Sequence, residues 1–224
     1  MEPRAHLPIL KRTGYVLLTI GIVDMAVLIY CIVKNISYWS SFNVIAIAGG
    51  IFLSRGSLGT ATRVRWLAIL MFAAIVTLLA AWPFIQPLGL TLTQIRLDPG
   101  AFSTAMVLVA FVLGLLLWFA RELGREPIQA ARASVGLKQR DMRIPAAIGV
   151  GLVVVIVVGF AFFLHSGYAE RAKVMAKQQV GLGYQLHVNS LNVDTDSQRT
   201  VVSGVVIAWN EKEIRYVQVH WEER

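Results

Sequence analysis

The sequence predicts a mainly α membrane protein: a five-helix transmembrane bundle followed by a small extracytoplasmic α+β domain, αβββ in order, with its strands in an antiparallel meander. Three observations predict this class. Residues 144–164, IPAAIGVGLVVVIVVGFAFFL, carry no charge and no hydrogen-bonding side chain, and a helix needs roughly 20 such residues to cross a bilayer. The composition is 56% hydrophobic and 15% charged, whereas about a quarter of an ordinary soluble domain is charged. Finally, after residue 165 the chain changes character, from apolar runs to alternating apolar and polar residues.

Hydropathy places the spans at about residues 14–33, 38–53, 66–85, 103–120 and 144–164. The second is short. The third is expected to end at Pro83 and Pro87, because proline removes a helix donor and clashes with the preceding turn. Residues 1–13 form a basic N-tail. The apolar run behind them is too long for a signal peptide and lacks a small-x-small cleavage site, so it is read as an uncleaved span.

Charge sets the orientation. Three basic stretches (1–13, 54–65 and 121–143) alternate with two poor ones, in which Lys34 and Arg96 are the only Lys or Arg. Short loops rich in Lys and Arg stay in the cytoplasm. The N-terminus is therefore expected inside and the C-terminus outside, in a multi-pass plasma (inner) membrane, with the C-terminal domain periplasmic in a bacterial cell. The acidic and basic residues of 166–224 balance, so the net charge of +8 lies in the three basic stretches. That distribution points to membrane orientation and to anionic lipid rather than to nucleic acid.

Within the spans, small residues recur four apart: Ala46 with Gly50, Ala73 with Thr77 and Ala81, Ala110 with Gly114, and Ala147 with Gly151. Small residues let helix backbones approach closely in lipid. The outer connection 82–99 holds Leu88, Leu90, Leu92, Ile95 and Leu97, too apolar for an ordinary loop. It is expected to lie along the interface or under the external domain. In the inner connection, Pro127 and Gly136 bracket a short helix. Its mixture of Leu123, Ile128, Val135 and Leu137 with Arg121, Arg125, Arg132 and Lys138 reads as an amphipathic segment on the anionic inner surface.

The C-terminal stretch 166–224 opens with a helix over 168–180, into which the fifth span can run with Gly167 as the weak point. Strands follow over 184–193, 200–209 and 214–221, with polar turns at 194–198 and 210–213. Alternation puts Leu186, Val188, Val217, Val219 and Trp221 on the face covered by the helix. It puts His187, Asn189, Tyr216, Gln218 and His220 on the other, a candidate interaction face.

The one intramembrane carboxylate is Asp24, in the middle of the first span. An ionisable group there is costly and marks a candidate proton or cation site. The structural alternative is a protonated Asp bonded to a neighbouring helix, through Asn43 or Thr77. His165 ends the fifth span, where it suits a helix C-terminus. His187 and His220 lie on non-adjacent strands, too far apart for one metal. The single cysteine, Cys31, forms no internal disulfide. Asn35-Ile36-Ser37 fits a glycosylation sequon but lies against the membrane.

No glycine-rich phosphate loop, Cys-x-x-Cys pair, nucleophile elbow or His-Glu-x-x-His motif is present, and no catalytic residue, cofactor or metal is expected. The sequence points to a non-enzymatic accessory, assembly or interaction subunit, held by the lipid bilayer and docking a protein partner through its external domain. The alternative is a small transporter or channel using Asp24.

Overall fold

The computed structural model describes residues 5–36, 42–137, 140–164, 166–196 and 199–223. The elements run α1 (Leu7–Val33), α2 (Phe42–Ser54), α3 (Leu58–Ile85), α4 (Leu88–Leu97), α5 (Pro99–Glu122), α6 (Glu126–Ser134), α7 (Arg143–Leu164), α8 (Gly167–Val180), then β1 (Gln185–Asp196), β2 (Arg199–Trp209) and β3 (Ile214–Glu223). The protein is mostly helical. α1, α3, α5 and α7 are each long and apolar enough to cross a membrane. α2 is apolar but has 13 residues, a rise of about 20 Å against a bilayer core of about 30 Å. The start of the second span, 38–41, lies outside the described residues, as do Ser37 of the sequon, Lys138 and His165.

The helices outrun the hydropathy that marks them. α1 starts at Leu7 instead of at residue 14, with Pro8 in its first turn, where the missing amide proton has no helical partner to lose. Leu10 and Thr13 are fully buried, so this part of the N-tail is packed helix. α3 starts at Leu58 and takes in most of the basic stretch before the third span. It ends at Ile85, the expected bound, with Pro83 inside its last turn, and the break follows at Pro87, which is extended. The connection after it is not a loop. Residues 88–97 form α4, with Pro87 as its N-cap.

Two compact units result: residues up to Ile75 with Phe111–Val150, and Val76–Ala110 with the rest of the chain. In the first unit α1 and α2 cross at a pair of glycines. A Cβ on Gly14 would lie 2.6 Å from Ser54 N, and one on Gly50 would lie 2.7 Å from Leu18 N. α7 approaches α3 just as closely, since a Cβ on Gly149 would meet Leu70 O at 2.4 Å. Of the small-residue pairs in the sequence, Ala46 is buried and Gly50 sits in a contact, but Gly114 and Gly151 face open space. The core of this unit joins Leu10, Leu17, Leu53 and Ala68 to Phe119, Leu123 and Ile128. α6 is therefore anchored by Ile128 in the core, rather than resting on a surface by its apolar side alone.

In the second unit the three strands form one antiparallel sheet, β1-β2-β3. α7 does not run on into α8. Ser166 is extended and its Oγ accepts from Ala169 N, capping a new helix. α8 ends at Gly181, whose φ of +85° favours glycine. The alanines of α8 pack as a flat surface on Val188, Val202, Val206, Ala208, Val217, Val219 and Trp221. This is the sheet face that alternation assigned to the core, with β3 in the predicted register.

Candidate functional site

The other face of the sheet is where chemistry is on offer, and its two ends differ. At the end near the second turn, α4 covers it. Leu90, completely buried, packs with Ile207, Trp209 and Ile214, and Thr93 Oγ1 lies 3.3 Å from Asn210 O. The apolar connection 82–99 thus packs under the sheet through α4. Trp82 donates to Thr91, and Gln86 to Gln94, tying α4 back to the end of α3.

The other end is open. Ser190 and Asn192 of β1, Ser203 and Val205 of β2, and Gln218 and His220 of β3 line a groove of about 650 Å³. Its rows follow from the register: Ser190, Val205 and Gln218 stand side by side, as do Asn192, Ser203 and His220. A β-bulge between Val188 and Ser190 leaves Asn189 unpaired. Such a bulge bends and further twists its strand. After it Leu191 and Val193 turn to the α8 side, where they pack against the core. Gly204 lies between, and a Cβ there would meet Ser190 O at 2.4 Å and Leu191 Cδ2 at 2.6 Å, so Leu191 fills the space of the missing side chain.

The five residues expected on this face are thus divided. Gln218 and His220 line the groove. Asn189 sits exposed at the bulge. His187 and Tyr216 flank Ile207 in the row nearer α4. His187 and His220 are held apart both by β2 and by four residues along it, about 13 Å at strand rise. Among the described residues no three His, Cys, Asp or Glu side chains converge. Burial, with the positive charge of Lys173 added, pushes the half-buried His187 imidazole below its ordinary range. It is neutral at pH 7, a donor and an acceptor rather than a cation.

One polar contact fastens the sheet's near end. The Tyr184 hydroxyl donates to the Glu213 carboxylate, and Arg215 pairs with Glu213 at 2.9 Å while lying 5.3 Å from the Tyr184 ring centroid. The hydrogen bond raises the phenol's pKa and lowers that of the carboxylate.

Asp24 is half-buried in α1 and engages a neighbour electrostatically or through a hydrogen bond. The side chain of Asn43 lies outside the described residues. Sequence reasoning missed Arg132, whose guanidinium side chain belongs to a residue only 3% exposed. The signal was its spacing from Ile128: residues four apart share a helix face. Comparison with models of known protein families, with curated proteins and with solved structures finds no match.

Proposed function

We propose that the protein is a non-enzymatic accessory or assembly subunit of the plasma (inner) membrane, which docks a protein partner through its C-terminal αβββ domain. In this reading five spans hold the chain, with the N-terminus cytoplasmic and the domain outside. The alternation of basic stretches supports that topology. The second span would need residues 38–41 in addition to α2 to complete its crossing.

The observation that carries the docking role is the half-covered sheet face. α4 occupies one end and leaves the other as a groove lined by hydroxyl, amide and imidazole groups, without a Lys, Arg, Asp or Glu. Such a surface suits a partner segment presenting uncharged hydrogen-bonding groups, since charged side chains would lose water there without gaining a counter-ion. Purification of the full chain in mild detergent tests this. A stoichiometric protein partner is expected, and it should be lost from Ser203→Arg and Gln218→Glu variants that retain the folded domain. A lone, monodisperse protein, or a partner indifferent to both substitutions, refutes the docking role. A reporter fused after Arg224 should be active only outside the cytoplasm and one inserted near Gln129 only inside; a cytoplasmic C-terminus overturns the topology. The transporter alternative rests on Asp24 alone, and its test is set out in the Discussion.

A further inference from the structure

We propose that a basic pocket at the start of α3 binds a phosphate-bearing anion, the chemistry shared by an anionic phospholipid headgroup and a free phosphate. The pocket encloses about 270 Å³ and is lined by Gly59, Thr62 and Arg63 of α3, Arg132 of α6, and Leu137 and Arg140 beyond it. Three of these six residues are arginines and none is acidic. Guanidinium forks match phosphate oxygens with paired donors, which makes arginine the favoured residue for this ligand.

The surroundings reinforce the charge. Arg132 is 3% exposed, and its Nη1 donates to a neutral acceptor, Gln129 Oε1, at 3.3 Å. Its positive charge acts on Arg65, whose buried Nε has no hydrogen-bond partner among the described residues. Glu122, the buried acid at the end of α5, is paired with Arg125 at 2.8 Å. The Asp141 carboxylate accepts from Arg143 N at 2.9 Å. An anion in the pocket would be met by arginines from α3, from α6 and from the segment after α6. The first turn of α3 adds to the attraction through the positive end of its dipole, although Ser57 Oγ already accepts from Thr60 N at 3.3 Å. Gly59 leaves the floor open, since a Cβ on it would meet nothing within 4 Å. The Thr62 hydroxyl already donates to Leu58 O at 3.1 Å, so recognition falls to the arginines and the helix end.

The pocket borders one end of α3, a helix long and apolar enough to cross a bilayer. Basic pockets at such helix ends face the headgroups of the cytoplasmic leaflet. This site is separate from the groove on the sheet, and its test does not depend on a protein partner. The full-length protein is purified in mild detergent and examined by native mass spectrometry with phosphatidylglycerol or phosphatidylcholine, and by thermal shift with inorganic phosphate. Wild type should retain phosphatidylglycerol over phosphatidylcholine, or be stabilised by phosphate. The Arg63→Gln/Arg140→Gln double variant, which changes two exposed residues, should bind more than about tenfold more weakly, since losing even one charge-assisted hydrogen bond costs about that factor. Retention of phosphatidylglycerol that phosphate does not compete away identifies a headgroup site. Stabilisation by phosphate without lipid retention identifies a soluble ligand. Equal retention of both lipids with no response to phosphate overturns the proposal. So does binding unchanged in the double variant, or weakened equally by Arg121→Gln, an exposed arginine outside the pocket.

Discussion

Gly50→Ala should damage the membrane part of the fold, while the same change at Gly114 should not. The added Cβ at position 50 would lie 2.7 Å from Leu18 N and 2.8 Å from Gly14 O. Both atoms are backbone, so no side chain can swing away. Comfortable carbon contacts begin at about 3.5 Å, so α1 and α2 would have to part by roughly 0.7 Å. A gap of that size forfeits a quarter to a half of the dispersion energy along the seam, and overpacking of this kind typically costs about 1–3 kcal/mol. Alanine's better helix propensity returns up to about 1 kcal/mol, leaving a net loss of roughly 1–2 kcal/mol. At Gly114 nothing lies within 4 Å of the new Cβ, so propensity acts alone and the change should be neutral or stabilising by up to about 1 kcal/mol. Gly14→Ala should resemble Gly50→Ala, and Gly151→Ala should resemble Gly114→Ala. The assay is reversible unfolding of the full-length protein in mixed micelles of mild and denaturing detergent, with the four variants compared side by side. Equal effects at Gly50 and Gly114 would refute the crossing and the reasoning that separates these two glycines.

Three further outcomes are expected. Trp221→Ala should destabilise the sheet by about 3 kcal/mol, because Trp221 is 7% exposed and packed in the α8 core, whereas His220→Ala on the open face should cost little; protease susceptibility of the C-terminal region across a urea series measures both, and a reversed order would put the register off by one. Acidification should destabilise the sheet through His187: with its pKa lowered by burial, the unfolded chain takes up the proton first, so stability falls as pH drops below the ordinary histidine value of about 6.5. His187→Gln should flatten that part of the pH profile, and an unchanged profile would assign the dependence elsewhere. For Asp24, a structural role predicts that Asp24→Asn keeps abundance and function while Asp24→Leu disturbs packing by leaving a partner unsatisfied; a proton or cation site predicts a stable but inactive Asp24→Asn, read from an expression blot and a growth phenotype, and that result would replace the subunit reading with the transporter.

Much of the architecture is written in periodicity and much of its detail is not. The long helices announce themselves through apolar runs, but hydropathy measures the membrane-wide part of a helix and not its ends. Leu7–Thr13 and Leu58–Arg65 are helical because their weak helix formers, Pro8 and Gly59, fall in the first turn, although their charges mark them as outside lipid. Pro83 lies inside the last turn and removes one i→i−4 bond, yet the helix runs two residues further, to the Ile85 at which the third span was expected to end. Pro87 was the stop, and at the N-cap of α4 it also helped to hide that helix behind an apparently broken stretch.

The candidate face shows the same division between local and tertiary information. A period of two is enough to separate His220 from Trp221, because each strand has only two sides. Even the bulge left a trace: Asn189 and Ser190 are consecutive polar residues, and the alternation resumes one residue late at Leu191. What alternation cannot say is how far along the face another element reaches. That depends on Leu90 meeting Ile207 and Trp209, more than a hundred residues away in the chain, and the intervening sequence encodes no local signal of their distance in space. Arg132 is the counterpart among the helices. Its charge argued for exposure, and its position four residues after Ile128 argued for burial. Packing resolved the conflict for Ile128, since an apolar anchor in the core fixes the helix face and carries its neighbour along. A buried guanidinium is tolerated only where its environment compensates it; for Arg132 that begins with the Gln129 amide oxygen, which accepts from it at 3.3 Å while the residue still lines the pocket shared with Arg63 and Arg140.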